Sequence, residues 1–226
     1  MSACLIAEEV HRSYGRVTAL AGISMELARG EIVAVAGPSG SGKTSLLGIL
    51  GGLDQPTAGK VLLDGHDFYA LDRAKRSGLR AARIGFVFQT HNLLASLTAE
   101  ENVALAVQHG GARHADPLRR AREALDRLDL GRVGKRLPIA MSLGEQQRVA
   151  VARALAAGSP IVIADEPTAS LDGGAGRIVL AALVSAARSG CAVLLASHDE
   201  RCLAAADRVV HLLDGRLVAG TLPSPP

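Results

Sequence analysis

The sequence has no tryptophan, two tyrosines and three phenylalanines in 226 residues. Proteins that read single strands or RNA stack bases on aromatic rings, and 2% aromatics cannot furnish such a platform. There is no large excess of one charge either. Its 25 Lys plus Arg against 22 Asp plus Glu leave a net +3, too little to hold nucleic acid through its phosphates. No window reaches the roughly 18 uninterrupted apolar residues of a membrane-spanning helix. Glu8 and Glu9 stand where an export signal would need a basic start, so the expected location is the cytosol. Cys4, Cys191 and Cys202 are an odd number without CxxC or Cys/His spacing, which excludes a disulfide framework and a zinc site and predicts reduced, partly buried thiols.

What is present is material for one substantial core, 48% hydrophobic against 21% charged, with room for an inserted subdomain. Short runs rich in Val, Ile and Leu alternate with helical stretches, the pattern of a parallel sheet covered on both faces. The spacing predicts strands over Glu31–Ala36, Arg83–Phe88, Pro160–Asp165, Cys191–Ser197 and Arg208–Leu213. Leu5–Val10, Gly22–Leu27 and Lys60–Leu63, separated by turn signals, predict a small antiparallel sheet beside it. Between residues 89 and 158 the strand pattern gives way to helices over Thr98–Gln108, Pro117–Leu128 and Ser142–Ala157. The expected class is therefore α/β. Residues 1–88 and 159–220 form the core with its antiparallel part, residues 89–158 a helical subdomain, and the proline-rich 221–226 a disordered tail.

One segment carries chemistry by itself. Gly37, Pro38, Ser39, Gly40, Ser41, Gly42, Lys43 and Thr44 fit G-x-x-x-x-G-K-[ST], and the pattern lies between a predicted strand and a predicted helix beginning near Ser45, as its mechanism requires. The glycines let successive N–H groups and the positive helix end point at one anion, so a triphosphate fits the cradle. Lys43 would reach the β- and γ-phosphates, and the Thr44 hydroxyl would supply an oxygen ligand to Mg²⁺. Further on, the apolar strand Pro160–Ala164 ends in Asp165 and Glu166. Alone, that pair before Pro167 would read as a solvated acidic turn. With a phosphate loop upstream, a magnesium ion and a polarised water would offset the repulsion of two adjacent carboxylates, giving Asp165 to the metal and Glu166 to the attacking water.

Taken together, these motifs resemble the ATP-binding cassette ATPases, the nucleotide-binding subunits of ABC transporters. The resemblance covers about Leu5 to Ala219 and rests additionally on Tyr14, on Gln89 after Ile84-Gly-Phe-Val-Phe88, on Ser170-Leu171-Asp172 and on Ser197-His198-Asp199. It implies a P-loop NTPase fold with a RecA-like parallel sheet. It further implies that Tyr14 stacks on adenine with Val17 packed nearby, and that Gln89 touches Mg²⁺ and the water while coupling to a membrane partner. By the same resemblance His198 bonds the γ-phosphate and holds the attacking water, and Asp172 communicates between the two sites of a dimer. From the sequence alone Asp172 could equally cap the helix that follows it.

The family's Leu-Ser-Gly-Gly-Gln/Glu signature aligns with Met141, Ser142, Leu143, Gly144 and Glu145, so a leucine replaces the first glycine. Ser142 and Glu145 have capping-box spacing and start a helix locally. In the family these residues meet the γ-phosphate bound to the other subunit. Leu143 either crowds that loop or points back into its own subdomain, and the expected result is a closure weaker than glycine would give.

Ile84-Gly-Phe-Val-Phe-Gln-Thr-His-Asn-Leu-Leu94 and Leu97-Thr-Ala-Glu-Glu-Asn102 resemble the lipoprotein-release and macrolide-export group (LolD, MacB and DevA types), with His198–Arg201, Ala206–Val210 and Asp214–Arg216 closest to the DevA type. The resemblance implies a separate transmembrane permease, reached through residues 89–97, and a lipid, lipoprotein or hydrophobic cargo. It places the chain on the cytoplasmic face as an ATP-driven homodimer, touching membrane only through the permease. Arg73, Lys75, Arg76, Arg80 and Arg83 would face anionic head groups or simply solvent. A cassette ATPase working on a macromolecular complex such as DNA or ribosomes is the alternative, and it would need arms, a second cassette or a basic linker. A small-molecule P-loop kinase would have no use for Ser142–Glu145, Asp172 and His198 in this order.

Overall fold

The computed structural model describes residues 3–110, 116–169 and 171–218. Ser170, part of the Ser170-Leu171-Asp172 motif, and residues 219–226, which include the expected tail at 221–226, lie outside the described residues.

The chain opens with a long hairpin, β1 (Ala3–Tyr14) against β2 (Val17–Ala28). Next come β3 (Ile32–Ala36), α1 (Lys43–Leu50), β4 (Ala58–Leu63) and the two-residue β5 (His66–Asp67). The order β2-β1-β4-β5 makes the expected antiparallel sheet. Both hairpin strands are longer than the apolar runs predict. The extra residues, such as His11, Arg12 and Ser13, are polar, yet they stay paired through a ladder interrupted by bulges.

After α2 (Arg73–Arg83) and β6 (Ile84–Val87), the helical segment consists of α3 (Ala99–His109), α4 (Pro117–Asp126), two 3-10 turns at Gly131–Val133 and Pro138–Ala140, and α5 (Leu143–Ala156). Thr98 and Glu101 form a reciprocal capping box on α3, and Asp116 with Pro117 starts α4. The chain returns to the sheet through β7 (Ile161–Asp165), α6 (Gly173–Arg188), β8 (Ala192–Ala196), α7 (Glu200–Ala204), β9 (Arg208–Leu213) and β10 (Arg216–Val218).

The second sheet has the order β10-β9-β3-β8-β7-β6, parallel from β9 to β6, with β10 closing it as an antiparallel hairpin. Every residue of β3, β7 and β8 is buried, which is why these strands read as unbroken apolar runs. Successive side chains serve opposite faces. Val33, Val35, Ile161 and Ile163 pack with α1 and the antiparallel sheet, while Ala34, Val162, Ala164 and Val193 pack with α3, α4, α5 and α6. The helical segment thus shares one continuous core with a face of the sheet. The three thiols are free, and burial raises the pKa of each, that of Cys191 to about 11.

Candidate functional site

Register lines up the strand ends. Val35 pairs with Ala196, Ala196 with Asp165 and Ala164 with Val87. The residues just beyond these pairs are Gly37, His198, Glu166 and Gln89, so four of the predicted groups leave one carboxyl edge of the sheet within about a residue of the same level. Open parallel sheets hold their ligands at this edge.

The phosphate loop bridges β3 and α1. A Cβ on Gly37 would stand 2.2 Å from the Leu212 carbonyl oxygen, and one on Gly42 2.4 Å from that of Ala19, so the loop passes where only bare backbone fits. Gly42 precedes α1 with φ 107 and no side-chain cap, and no acidic residue occupies the first turn. The helix N-terminus therefore keeps its positive end uncompensated. The Lys43 ammonium lies back over the loop, donating to the carbonyls of Gly37 at 2.7 Å and Pro38 at 2.9 Å. Ser41 is buried and its hydroxyl has no protein partner.

At the end of β7, Asp165 is only 4% exposed. Burial raises its carboxyl pKa and the neighbouring Glu166 charge adds to this, against a hydrogen bond from the Thr44 hydroxyl and the charge of Lys43. Glu166 is held with φ 50, left-handed for a residue with a Cβ, and its N–H donates to the Ala196 carbonyl at 3.0 Å. One carboxylate oxygen lies 3.0 Å from His198 Nδ1, and the other is buried without a partner. His198 itself is largely exposed. This edge therefore offers a helix N-terminus, an ammonium, a hydroxyl near a buried carboxyl, and a second carboxylate with an unused acceptor.

The donor set fits a divalent cation shared with phosphate. Among the described residues no three of His, Cys, Asp and Glu gather to hold a metal alone. Thr44 beside Asp165 supplies hard oxygens of the kind Mg²⁺ prefers, with phosphate oxygens completing its shell.

Tyr14 and Val17 face each other across the tip of the first hairpin, both exposed. The Tyr14 hydroxyl donates to Asp54 and lies 3.4 Å from the Ser45 hydroxyl, next to the phosphate loop. The Arg12 guanidinium sits 4.4 Å from the ring centroid and also pairs with Asp54 at 2.6 Å. A base stacking on Tyr14 must use the opposite face. Arg12 and Asp54 belong to no motif in the sequence: Asp54 stands in a Gln-Pro turn, and only its closeness to Tyr14 in the fold gives it a task.

Gln89 is exposed in the turn following β6. Ser142 caps α5, its hydroxyl accepting from the Glu145 N–H at 3.2 Å and the Glu145 carboxylate accepting from the Ser142 N–H at 2.9 Å. Leu143 is 63% exposed, so it points outward and does not pack into its own helical segment. Gly144 follows in the first turn of α5. Because α1 and α5 pack on opposite faces of the sheet, the signature segment is not folded onto its own chain's phosphate loop. Asp172 caps α6, accepting from Gly174 and Ala175 N–H groups that hold its carboxyl below the usual range.

Comparison with known proteins matches the ABC transporter family over residues 20–169. The chain belongs to that family. A solved ABC cassette, MJ0796, described as a dimer in a post-hydrolysis state bound to ADP and Pi, superposes with a TM-score of 0.89 at 36% identity, covering 94% of this chain and 96% of that one. Among curated proteins, the macrolide export ATP-binding/permease protein MacB of Aggregatibacter actinomycetemcomitans is 39% identical over 218 residues, 95% of this chain and 34% of its own length. MacB of Rhodospirillum rubrum is 45% identical over 202 residues, 89% of this chain and 31% of its own length. The chain thus spans about a third of the length of these curated relatives. It is an ABC-type ATPase cassette, and no described helix is long and apolar enough to cross a membrane.

Proposed function

We propose that this cassette powers a MacB-like export system. Two copies enclose two ATP molecules head to tail, and closure pulls on a membrane permease docked near residues 89–97 at the cytoplasmic face. The cargo is a lipid, a lipoprotein or another hydrophobic compound. Residues 89–158 are the helical part that carries the signature segment, and residues 1–88 and 159–220 the core that carries the phosphate loop. The observation that carries the reading is the Glu166–His198 pair, 3.0 Å apart at the edge where the phosphate loop opens.

In this reading Tyr14 and Val17 hold the base, while the N–H groups of residues 37–45 and the Lys43 ammonium grip the phosphates. Thr44, Gln89 and Asp165 would hold Mg²⁺, Asp165 through water. When bound, the ion neutralises charge on the phosphate oxygens. The free Glu166 oxygen accepts a proton from the water that attacks the γ-phosphorus, the bond to the ADP oxygen breaks, and His198 orients the water and the γ-phosphate. Ser142, Leu143, Gly144 and Glu145 of one copy close over the γ-phosphate of the other, and Asp172 lies between the two sites.

The test is the solution mass of Glu166→Gln with and without Mg-ATP, alongside release of inorganic phosphate by the wild type. A monomer that becomes a dimer on adding ATP is expected. A variant that binds ATP and stays monomeric overturns closure by the cassette alone, and transfer of labelled phosphate to a small molecule overturns hydrolysis.

A further inference from the structure

Arg153 lies near the end of α5, half-buried, among the buried Val149, Ala150, Ala152 and Ala154. Burial lowers its pKa, and among the described residues it forms no ion pair. Its two terminal nitrogens instead donate to successive main-chain carbonyls, Asn92 at 2.6 Å and His91 at 2.9 Å. Those residues have φ 59 (His91) and φ 51 (Asn92), two consecutive left-handed residues with a Cβ, directly after the turn that carries Gln89.

The rest of the loop is fastened as well. Asn102, almost wholly buried in α3, accepts from the Leu94 N–H at 2.8 Å and donates to the carbonyls of Leu94, Leu97 and Thr98 at 3.1, 2.9 and 3.0 Å. Surface loops ordinarily give such groups to water. This one gives them to two side chains, the half-buried Arg153 from α5 and the buried Asn102 from α3. Satisfying two carbonyls does not call for a cation, and burying one is costly. What the planar fork adds is orientation: it fixes two successive peptide units at once, in a conformation the chain would otherwise leave. Ten residues earlier, about 15 Å along the same helix, α5 begins at Leu143.

We propose that Arg153 is a positioning residue. It locks the His91–Asn92 turn so that Gln89 is presented at the sheet edge beside Glu166, and it makes the loop and the signature helix move as one body. The proposal rests on the role given to Gln89 above.

The test compares Arg153→Met, Arg153→Lys and Gln89→Ala in the full chain, reading kcat and KM for Mg-ATP and, without nucleotide, amide hydrogen exchange across residues 89–109. Arg153→Met should keep KM within about twofold, lower kcat about tenfold to a hundredfold, and speed exchange at residues 89–94 while leaving 99–109 unchanged. Arg153→Lys, whose single ammonium reaches one carbonyl, should fall between. If Arg153→Met does not fold, Arg153→Lys carries the same test. Adding Asn92→Gly, which adopts the left-handed turn without strain, should restore part of the lost kcat. Unchanged exchange at 89–94, or faster exchange with wild-type kcat, overturns the proposal. Wild-type turnover in Gln89→Ala overturns instead the role of Gln89, and exchange then decides the clamp alone.

Discussion

The phosphate loop and the signature segment are both helix N-termini fit to meet an anion, yet they are built oppositely. At residues 37–44 the backbone is wedged against the Ala19 and Leu212 carbonyls, no side chain caps the helix, and Lys43 lies across the opening. At residues 142–145 a side-chain capping box satisfies the N–H groups of Ser142 and Glu145, and the exposed Leu143 stands between them. The first is a complete half-shell, shaped within one chain. In the proposed function the second works only when another copy brings a phosphate to it, so substitutions in the two should fail differently: in binding at the loop, in closure at the signature.

The largest effect should come at the point where both halves would meet the reaction. Glu166→Gln keeps the shape and the left-handed backbone position but removes the charged acceptor. Turnover should fall about 10²- to 10⁴-fold while binding of a fluorescent ATP analogue stays within about threefold. A matching loss of binding would place Glu166 in the cradle instead of at the water.

Gly42→Ala comes next and should break only the first half. The added methyl meets a carbonyl oxygen at 2.4 Å in a backbone conformation alanine resists, so strand β2 or the loop must shift. ATP affinity should drop by at least about tenfold, with unfolding stability lowered by about 1–3 kcal/mol. Calorimetric titration and denaturant melts read both, and unchanged affinity would mean that the loop tolerates displacement.

These two residues also show where the sequence was legible and where it was not. The glycines, Lys43, Thr44 and the Asp165–Glu166 pair were readable because each does its work through local geometry, a turn between strand and helix or a carboxylate at the end of an apolar run. The hairpin is longer than its apolar runs predict because its outer ends pair through polar residues such as His11, Arg12 and Ser13, where the apolar signal of a strand is missing. Asp54, Arg12 and Arg153 were illegible for another reason: each acts on a residue between 2 and 62 positions away, a relation that exists only after folding. For Arg153 a faint signal was there, a cation set like Arg148 among valines and alanines on a helix that the pattern buries.

A smaller effect should sharpen the second half. Leu143→Gly removes the branched side chain from the first position of α5, and by the comparison above it should leave ATP affinity of the monomer unchanged. In a Glu166→Gln background the ATP-driven dimer should tighten severalfold, on the order of 1 kcal/mol, offset in part by the lower helix propensity of glycine. Sedimentation at a series of concentrations measures it. Equal dimer affinity in the two proteins would show that Leu143 is harmless there.

The smallest effect lies behind both halves, at the start of α7. The Asp199 carboxyl is held down to about 2, first by its hydrogen bonds with the Arg201 guanidinium, then by the Arg201 N–H and the Thr168 hydroxyl. Because its folded pKa lies below the ordinary 3.8, the group stabilises the fold fully above about pH 4, and that contribution is lost as pH falls through about 2. Arg201 is partly exposed, so solvent screening limits the pair to about 1 kcal/mol. Asp199→Asn should therefore be about 1 kcal/mol less stable at pH 7, and the gap should close between about pH 4 and pH 2. Catalytic constants should change little, since Asp199 caps α7 and its carboxylate bonds Thr168 and Arg201, not Glu166 or His198. A stability gap that persists at the acid end would mean that the amide fails as a cap, and that the carboxylate charge contributes nothing of its own.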